Sequence, residues 1–184
     1  MKQALVPALM MTLLFTGCSG GAQTPQDFTR WQQTLSAASE IRFSAQITGE
    51  WSDGTTTFSA EVVRTGEETV VTVTAPETIE GITVRSTSGS DTLEYDGVIL
   101  ELVPGVTDAL SPCGAGSILL EALTRGNLIY AGTAESYLTA AVAAPGGETV
   151  TVWRDGDDTP VYAEIARGET TELTLTLSNW KITE

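Results

Sequence analysis

Apolar side chains recur at every second position through most of this chain, and that period limits the fold more than any other feature. Ile41, Phe43, Ala45, Ile47, Gly49 and Trp51 alternate with Arg42, Ser44, Gln46, Thr48 and Glu50. The pattern continues through Phe58, Ala60 and Val62, then Val71, Val73 and Ala75, then Ile82 and Val84. Leu93 and Tyr95 lead to Asp96-Gly97, and Val98, Leu100 and Leu102 return. A period of two gives strands with one packed face and one wet face. The connections at Asp53-Gly54, Gly66 and Asp96-Gly97 are hairpin-length, so neighbouring strands are antiparallel. Pro76, which has no N–H to donate, ends the third ladder. Near the C-terminus Val150 and Val152 lead to Trp153, Asp155-Gly156-Asp157-Asp158 turns, and Val161, Ala163 and Ile165 return. Gly168-Glu169 turns again into Leu173, Leu175 and Leu177, after which the apolar parity switches to Trp180 and Ile182. That switch across Ser178-Asn179 predicts a bulge or kink.

Two segments break the strand pattern. Thr24 is an N-cap, Pro25 suits the first helical position, and Asp27 lies where the helix dipole favours an acid. Phe28, Trp31, Leu35 and Ala38 then follow at 3–4 spacing, predicting an amphipathic helix that ends near Ser39. Pro104 to Gly116 reads as loop. Ser117 to Arg125 reads as a short buried helix carrying Ile118, Leu119, Leu120, Ala122 and Leu123, with Gly126 as its C-cap. Asn127 to Gly147 stays open: Leu128 to Tyr130 suit a strand and Ala134 to Ala141 a helix. The order is helix, five or six strands, loop and helix, then three or four strands. This is an α+β plan, one large antiparallel sheet with helices gathered on one face.

The N-terminus is an address. Met1-Lys2 is followed by an almost wholly apolar run from Ala4 to Phe15 and then Thr16-Gly17-Cys18. The run is shorter than the roughly 20 residues a bilayer span needs, so it reads as a cleaved export signal. Phe15-Thr16-Gly17-Cys18 resembles the lipobox of bacterial lipoproteins, with Phe15 where Leu is usual. That resemblance implies a signal peptide over residues 1–17, cleavage before Cys18, and a diacylglyceryl (palmitate-type) anchor on its thiol. The alternative is a signal for soluble secretion in which the cysteine is incidental. Residues 18–24 form the lipidated cysteine and a flexible tether, and residues 25–184 form one domain.

Composition narrows the function. The formal net charge is −15, and the leader's single charge, Lys2, is positive, so processing makes the chain more acidic still. Such a surface repels nucleic acid and anionic headgroups, leaving a two-chain lipid as the means of membrane attachment. Of the two cysteines, assigning Cys18 to lipid leaves no second cysteine with which Cys113 could form an intramolecular disulfide. There is no histidine, which removes the commonest general base and zinc ligand.

The plan as a whole resembles the LolA/LolB-like lipoprotein-carrier superfamily, whose fold the RseB-type sensors and the LppX/LprG-like mycobacterial lipoproteins share. The likeness lies in the exported N-terminus, the single amphipathic helix and the strand meander. Locally it lies in Val73-Thr74-Ala75-Pro76-Glu77-Thr78-Ile79-Glu80-Gly81-Ile82, in Trp153-Arg154-Asp155-Gly156 with Pro160 to Glu164, and in Leu173 to Trp180. The resemblance implies a strongly curved sheet, an incomplete barrel, with two or three helices on its concave face and an apolar cavity for acyl chains. Carriers of this superfamily shuttle lipids or lipoproteins, and its sensors bind a partner protein.

Candidate chemistry is sparse. Cys113 sits in Ser-Pro-Cys-Gly with no cation near in sequence, as a small apolar filler would. Gly114-Ala115-Gly116-Ser117 lacks both the nucleophile elbow and the phosphate-loop ending. Asp155, Asp157 and Asp158 resemble the start of a calcium loop, but Ala166 stands where the bidentate Glu belongs, so a polar turn is favoured. The informative set is apolar: Phe28, Trp31, Phe43, Trp51, Phe58 and Leu120 on one face, either as packed core or as the lining of a ligand cavity. The expectation is therefore a bacterial cell-envelope lipoprotein, not an enzyme and without cofactor or metal. It would be lipid-anchored to the cell membrane on the extracytoplasmic side and would bind a lipid or acyl chain. The alternative is a non-catalytic sensor or interaction module with a packed core and an envelope protein partner.

Overall fold

The computed structural model describes residues 24–51, 54–87, 90–102 and 112–184. Cys18, the other residues up to 23, Asp53 and residues 103–111 lie outside the described residues, as does the side chain of Trp51. The first helix, α1 (Pro25–Ala37), begins as its sequence dictates. Thr24 Oγ1 accepts from the Asp27 N–H at 3.3 Å, and Asp27 Oδ2 accepts from the Thr24 N–H at 3.1 Å. This reciprocal box satisfies two helix-end donors that would otherwise be unpaired. Phe28, Trp31 and Leu35 form its buried stripe. Burying each such side chain is worth about 1.5–3 kcal/mol.

Six strands follow as a meander: β1 (Glu40–Trp51), β2 (Gly54–Thr65), β3 (Glu68–Ala75), β4 (Thr83–Thr87), β5 (Ser90–Tyr95) and β6 (Val98–Leu102). The second helix, α2 (Pro112–Arg125), precedes five more: β7 (Asn127–Ala134), β8 (Tyr137–Ala143), β9 (Thr149–Arg154), β10 (Pro160–Arg167) and β11 (Thr170–Thr183). All eleven form one antiparallel sheet in the order β6-β5-β4-β3-β2-β1-β11-β10-β9-β8-β7. The two meanders join at its centre, where β1 pairs with β11, and β6 and β7 are the open edges. Asp96 and Gly97 both have positive φ (49° and 77°), the backbone that a two-residue hairpin turn between β5 and β6 requires.

The alternation decides which face packs. Ile41, Phe43, Ala45 and Ile47 of β1 share one buried cluster with Phe58, Ala60 and Val62 of β2, with Val150 and Val152 of β9, and with Leu173, Leu175 and Leu177 of β11. Phe28, Trp31 and Leu35 of α1 and Leu119, Leu120 and Leu123 of α2 complete it. Helix α2 touches strands from β4 in one arm to β8 in the other. A helix of 14 residues is about 21 Å long. In a flat sheet β4 and β8 would stand about 34 Å apart, so the sheet curves to bring both to the helix.

The structure departs from the sequence reading at three places. Helix α2 begins at Pro112, not at Ser117, so Gly114 to Gly116 are helical rather than loop. These small residues let the helix press against the sheet. A Cβ on Gly116 would lie 2.7 Å from Cγ2 of Val62 and 3.3 Å from Cγ2 of Val71. The Ala134–Ala141 stretch, open to a helical reading, is the β7–β8 hairpin, so the second arm has five strands where three or four were expected. Pairing with β9 on the far side of β8 overrides the helical preference of alanine. Finally, Val98 and Leu100 were expected on the packed face, yet they are 57% and 53% exposed, because β6 is an edge strand.

Candidate functional site

The predicted parity switch is a bulge, and it shapes a cleft. Along β11, Leu173, Leu175 and Leu177 face inward in register with β1 up to Ser44↔Ser178, and the register then shifts before Arg42↔Lys181. Asn179 takes the left-handed backbone conformation (φ 56°), and its Nδ2 donates to Ser44 Oγ at 3.2 Å. The extra residue turns Trp180 and Ile182 to the packed side, where Trp180 stacks on Phe43 with ring centroids 4.9 Å apart.

Trp180 and Ile182 then form one wall of a cleft of about 480 Å³, within the range of small-molecule sites. The opposite wall is α1, through Asp27, Arg30, Trp31 and Thr34, which share a face by their 3–4 spacing. Leu138 of β8 and the turn from Gly156 to Thr159 close the end. Asp155 holds that turn, its Oδ1 accepting the N–H groups of Asp157 (2.9 Å) and Thr159 (3.0 Å). The aspartates thus build the polar hairpin turn that the sequence favoured.

Arg154 lies behind this cleft. It is the last residue of β9 and continues the inward parity of Val150 and Val152 into a position that is 1% exposed. The Trp31 ring lies over its guanidinium, 4.0 Å from carbon to ring centroid. Its Nη1 donates to Asp158, while Nε and Nη2 are buried without a hydrogen-bond partner. Burial pushes its pKa below the ordinary arginine value, and Asp158 and Asp27 pull it back up. A buried cation held by one exposed carboxylate and one aromatic face is costly to place, which marks it out from its neighbours.

The sequence-predicted set divides. Phe28, Phe43 and Phe58 lie in the buried cluster, 0%, 1% and 4% exposed. Trp31 belongs to that cluster and also walls the cleft. Leu120 is in the cluster and borders a separate pocket of about 220 Å³ with Arg64, Ser117 and Arg125. Trp51 closes β1 through its backbone, its side chain being outside the described residues along with Cys18. Cys113 is partly buried at the start of α2, and Ser117 of the glycine-rich stretch donates to Ser86 Oγ at 3.3 Å. Sequence reasoning did not single out Arg154 or Leu138 as site residues. The signal for Arg154 was present, an arginine in inward parity with two valines.

No family model matches the chain, and no curated protein does. Among solved structures, a LolA superfamily protein from Nitrosomonas europaea matches with TM-score 0.50 at 11% identity, over 89% of this chain and 95% of that one. The fold is LolA-like. A DUF1329 family protein from Desulfovibrio piger matches with the same TM-score, 0.50, at 11% identity over 85% of this chain and 90% of its own. The Mycobacterium tuberculosis lipoprotein LppX is also similar, with TM-score 0.41 and 18% identity over 83% and 92% of the two chains. On this LolA-like sheet the cleft lies where α1 meets the β11 bulge and the β9–β10 turn.

Proposed function

We propose that this chain is a lipid-anchored envelope lipoprotein that takes a hydrophobic ligand, a lipid or acyl chain, into the cleft beside α1. The observation that carries the reading is the cleft itself. Trp31, Leu138, Trp180 and Ile182 give it apolar walls, and Trp31 connects it to the buried cluster. In this reading α1 and α2 occupy the concave side of a half-barrel, and the ligand enters beside α1. The leader and Cys18 would hold the protein on the extracytoplasmic side of the cell membrane. Among the described residues no helix is long and apolar enough to cross a membrane. Attachment is assigned to lipid on Cys18 from the lipobox-like sequence before it. We read the role as binding rather than catalysis, which the two tryptophans and the aliphatic side chains on the cleft walls support.

Native mass spectrometry of the full chain released from nanodiscs, with organic extraction of whatever is bound, tests this. Stoichiometric lipid that disappears in Ile182→Asp, with the thermal transition retained, upholds the reading. A clean apo mass and no uptake from lipid vesicles overturns it.

The second reading, a partner-binding module, draws on a different observation. Val98, Ile99 and Leu100 of edge strand β6 are 57%, 65% and 53% exposed, and Tyr95 across the turn is 43% exposed. An open edge with apolar side chains is what a partner strand pairs with.

A further inference from the structure

We infer that the unpaired edge of Arg154 is the headgroup subsite of this cleft, taking the two-oxygen acidic group, carboxylate or phosphate, of a single-chain amphiphile. The inference rests on the lipid-binding reading and names the ligand class. Nε and Nη2 lie on one side of a guanidinium and present two parallel N–H donors, the fork that grips a carboxylate or phosphate with two bonds. In Arg154 that fork is the buried, unpartnered edge, whereas Asp158 occupies Nη1. A third unpartnered buried donor, Trp180 Nε1, sits in the cleft wall. All three unmet groups are donors, so the complement they call for is an acceptor. A pure hydrocarbon would leave them unmet at a cost that a headgroup removes.

The surrounding charges refine the choice. Asp27 and Arg30 pair at 3.5 Å at the cleft mouth, where Asp157 and Asp158 add two more carboxylates. This rim repels small free anions, so an anion must be carried in by an apolar chain lying along Trp31, Trp180 and Ile182. Trp31 holds the guanidinium carbon 4.0 Å from its ring centroid and so helps to fix the direction in which the fork points.

The test compares four probes on the full chain in nanodiscs: carboxyl-13C palmitate, hexadecyl phosphate, methyl palmitate and inorganic phosphate. Palmitate or hexadecyl phosphate is expected to bind wild type roughly tenfold tighter than methyl palmitate, with inorganic phosphate not binding. The tighter of the two acids identifies the source, fatty acid or phosphate-headed lipid. Bound palmitate should titrate at lower pH than in protein-free nanodiscs, because a fixed cation favours its ionised form. Arg154→Lys, which keeps charge but loses the fork, should remove the acid preference and leave methyl palmitate binding within about twofold. Asp158→Asn removes the competing negative charge while leaving Nη1 an amide oxygen to donate to, and should tighten acid binding, so the inference stays testable should Arg154 variants fail to fold. Equal wild-type affinity for palmitate and its methyl ester overturns the headgroup subsite while the chain-binding reading stands. Equal loss of both ligands in Arg154→Lys makes the arginine structural and also overturns it. Uptake of none of the amphiphiles removes both readings together.

Discussion

Phe43 and Trp180 stack at 4.9 Å with their ring planes 23° apart, at the point where β1 and β11 slip out of register. The stack and the bulge depend on each other. Without the extra residue at Asn179, Trp180 would point to the wet face, and the cleft would lose a wall. Asparagine tolerates a positive φ, here 56°, better than other non-glycine residues, and the Asn179 side chain also bonds across the strands to Ser44. Asn179→Val should cost about 1–2 kcal/mol, whereas Asn179→Gly should stay within about 0.5 kcal/mol of wild type. Urea unfolding measures both, and a blue or red shift of tryptophan emission in Asn179→Val alone reports the lost stack.

Gly116 on α2 packs directly on Val62, and the pair should be strongly coupled. Adding a methyl in wild type meets Cγ2 of Val62 at 2.7 Å. Overpacking of this kind costs about 1–3 kcal/mol, partly offset by the roughly 0.5–1 kcal/mol that Ala gains over Gly in a helix. Gly116→Ala should therefore destabilise wild type but stabilise a Val62→Ala background. Additive effects in the double-mutant cycle would show that α2 can shift without touching β2.

The same glycine explains why the start of α2 was illegible in sequence. Pro-Cys-Gly-Ala-Gly carries loop composition, and the reason for Gly116 is Val62 and Val71, which are distant in sequence. The Ala-rich β7–β8 hairpin was ambiguous for a related reason: its strand state comes from pairing with β9 rather than from propensity. By contrast α1, with its cap and its Phe28–Trp31–Leu35 stripe, and the strands of the first arm were readable because cap chemistry and period are local signals. Of the cleft, Trp31 was readable as an apolar helix position and the β11 bulge as a parity switch. Arg154 carried a signal in its inward parity, but that parity only acquires meaning once Trp31 is known to lie against it.

The capping box predicts a pH dependence. Thr24 donates to Asp27 Oδ2 from its Oγ1 at 2.6 Å and from its N–H at 3.1 Å, and these bonds hold Asp27 below its ordinary carboxylate pKa, the Oγ1 bond contributing most. A depressed acid pKa stabilises the fold above the unfolded pKa, and that contribution fades as pH falls through the folded value. Thr24→Ala should therefore be less stable than wild type at neutral pH, and the gap should narrow as pH falls toward about 2. A gap in urea midpoint that holds constant across this range would assign the loss to the bond that Thr24 Oγ1 accepts from the Asp27 N–H, not to the one it donates to the carboxylate.

Anchoring through Cys18 predicts that Cys18→Ser moves the protein from the membrane to the soluble extracytoplasmic fraction. With a formal net charge of −15 the chain is too acidic to bind anionic headgroups by charge, so no second attachment is expected to compensate. Cell fractionation with immunodetection reads the outcome, and unchanged membrane retention in Cys18→Ser would remove the lipid-anchor assignment.

The β6 edge separates the two functional readings without reference to any ligand. Ile99 is 65% exposed, so Ile99→Lys removes little buried area and should leave stability within about 0.5 kcal/mol of wild type. A charge on an open edge does, however, block strand addition, which is how natural sheets protect their edges. If β6 serves a partner, Ile99→Lys should abolish the partner-dependent phenotype while lipid uptake by the cleft continues. If the cleft alone carries function, Ile99→Lys should behave as wild type in the cell and Ile182→Asp should not. A complementation assay with both variants, each at wild-type abundance, distinguishes these outcomes.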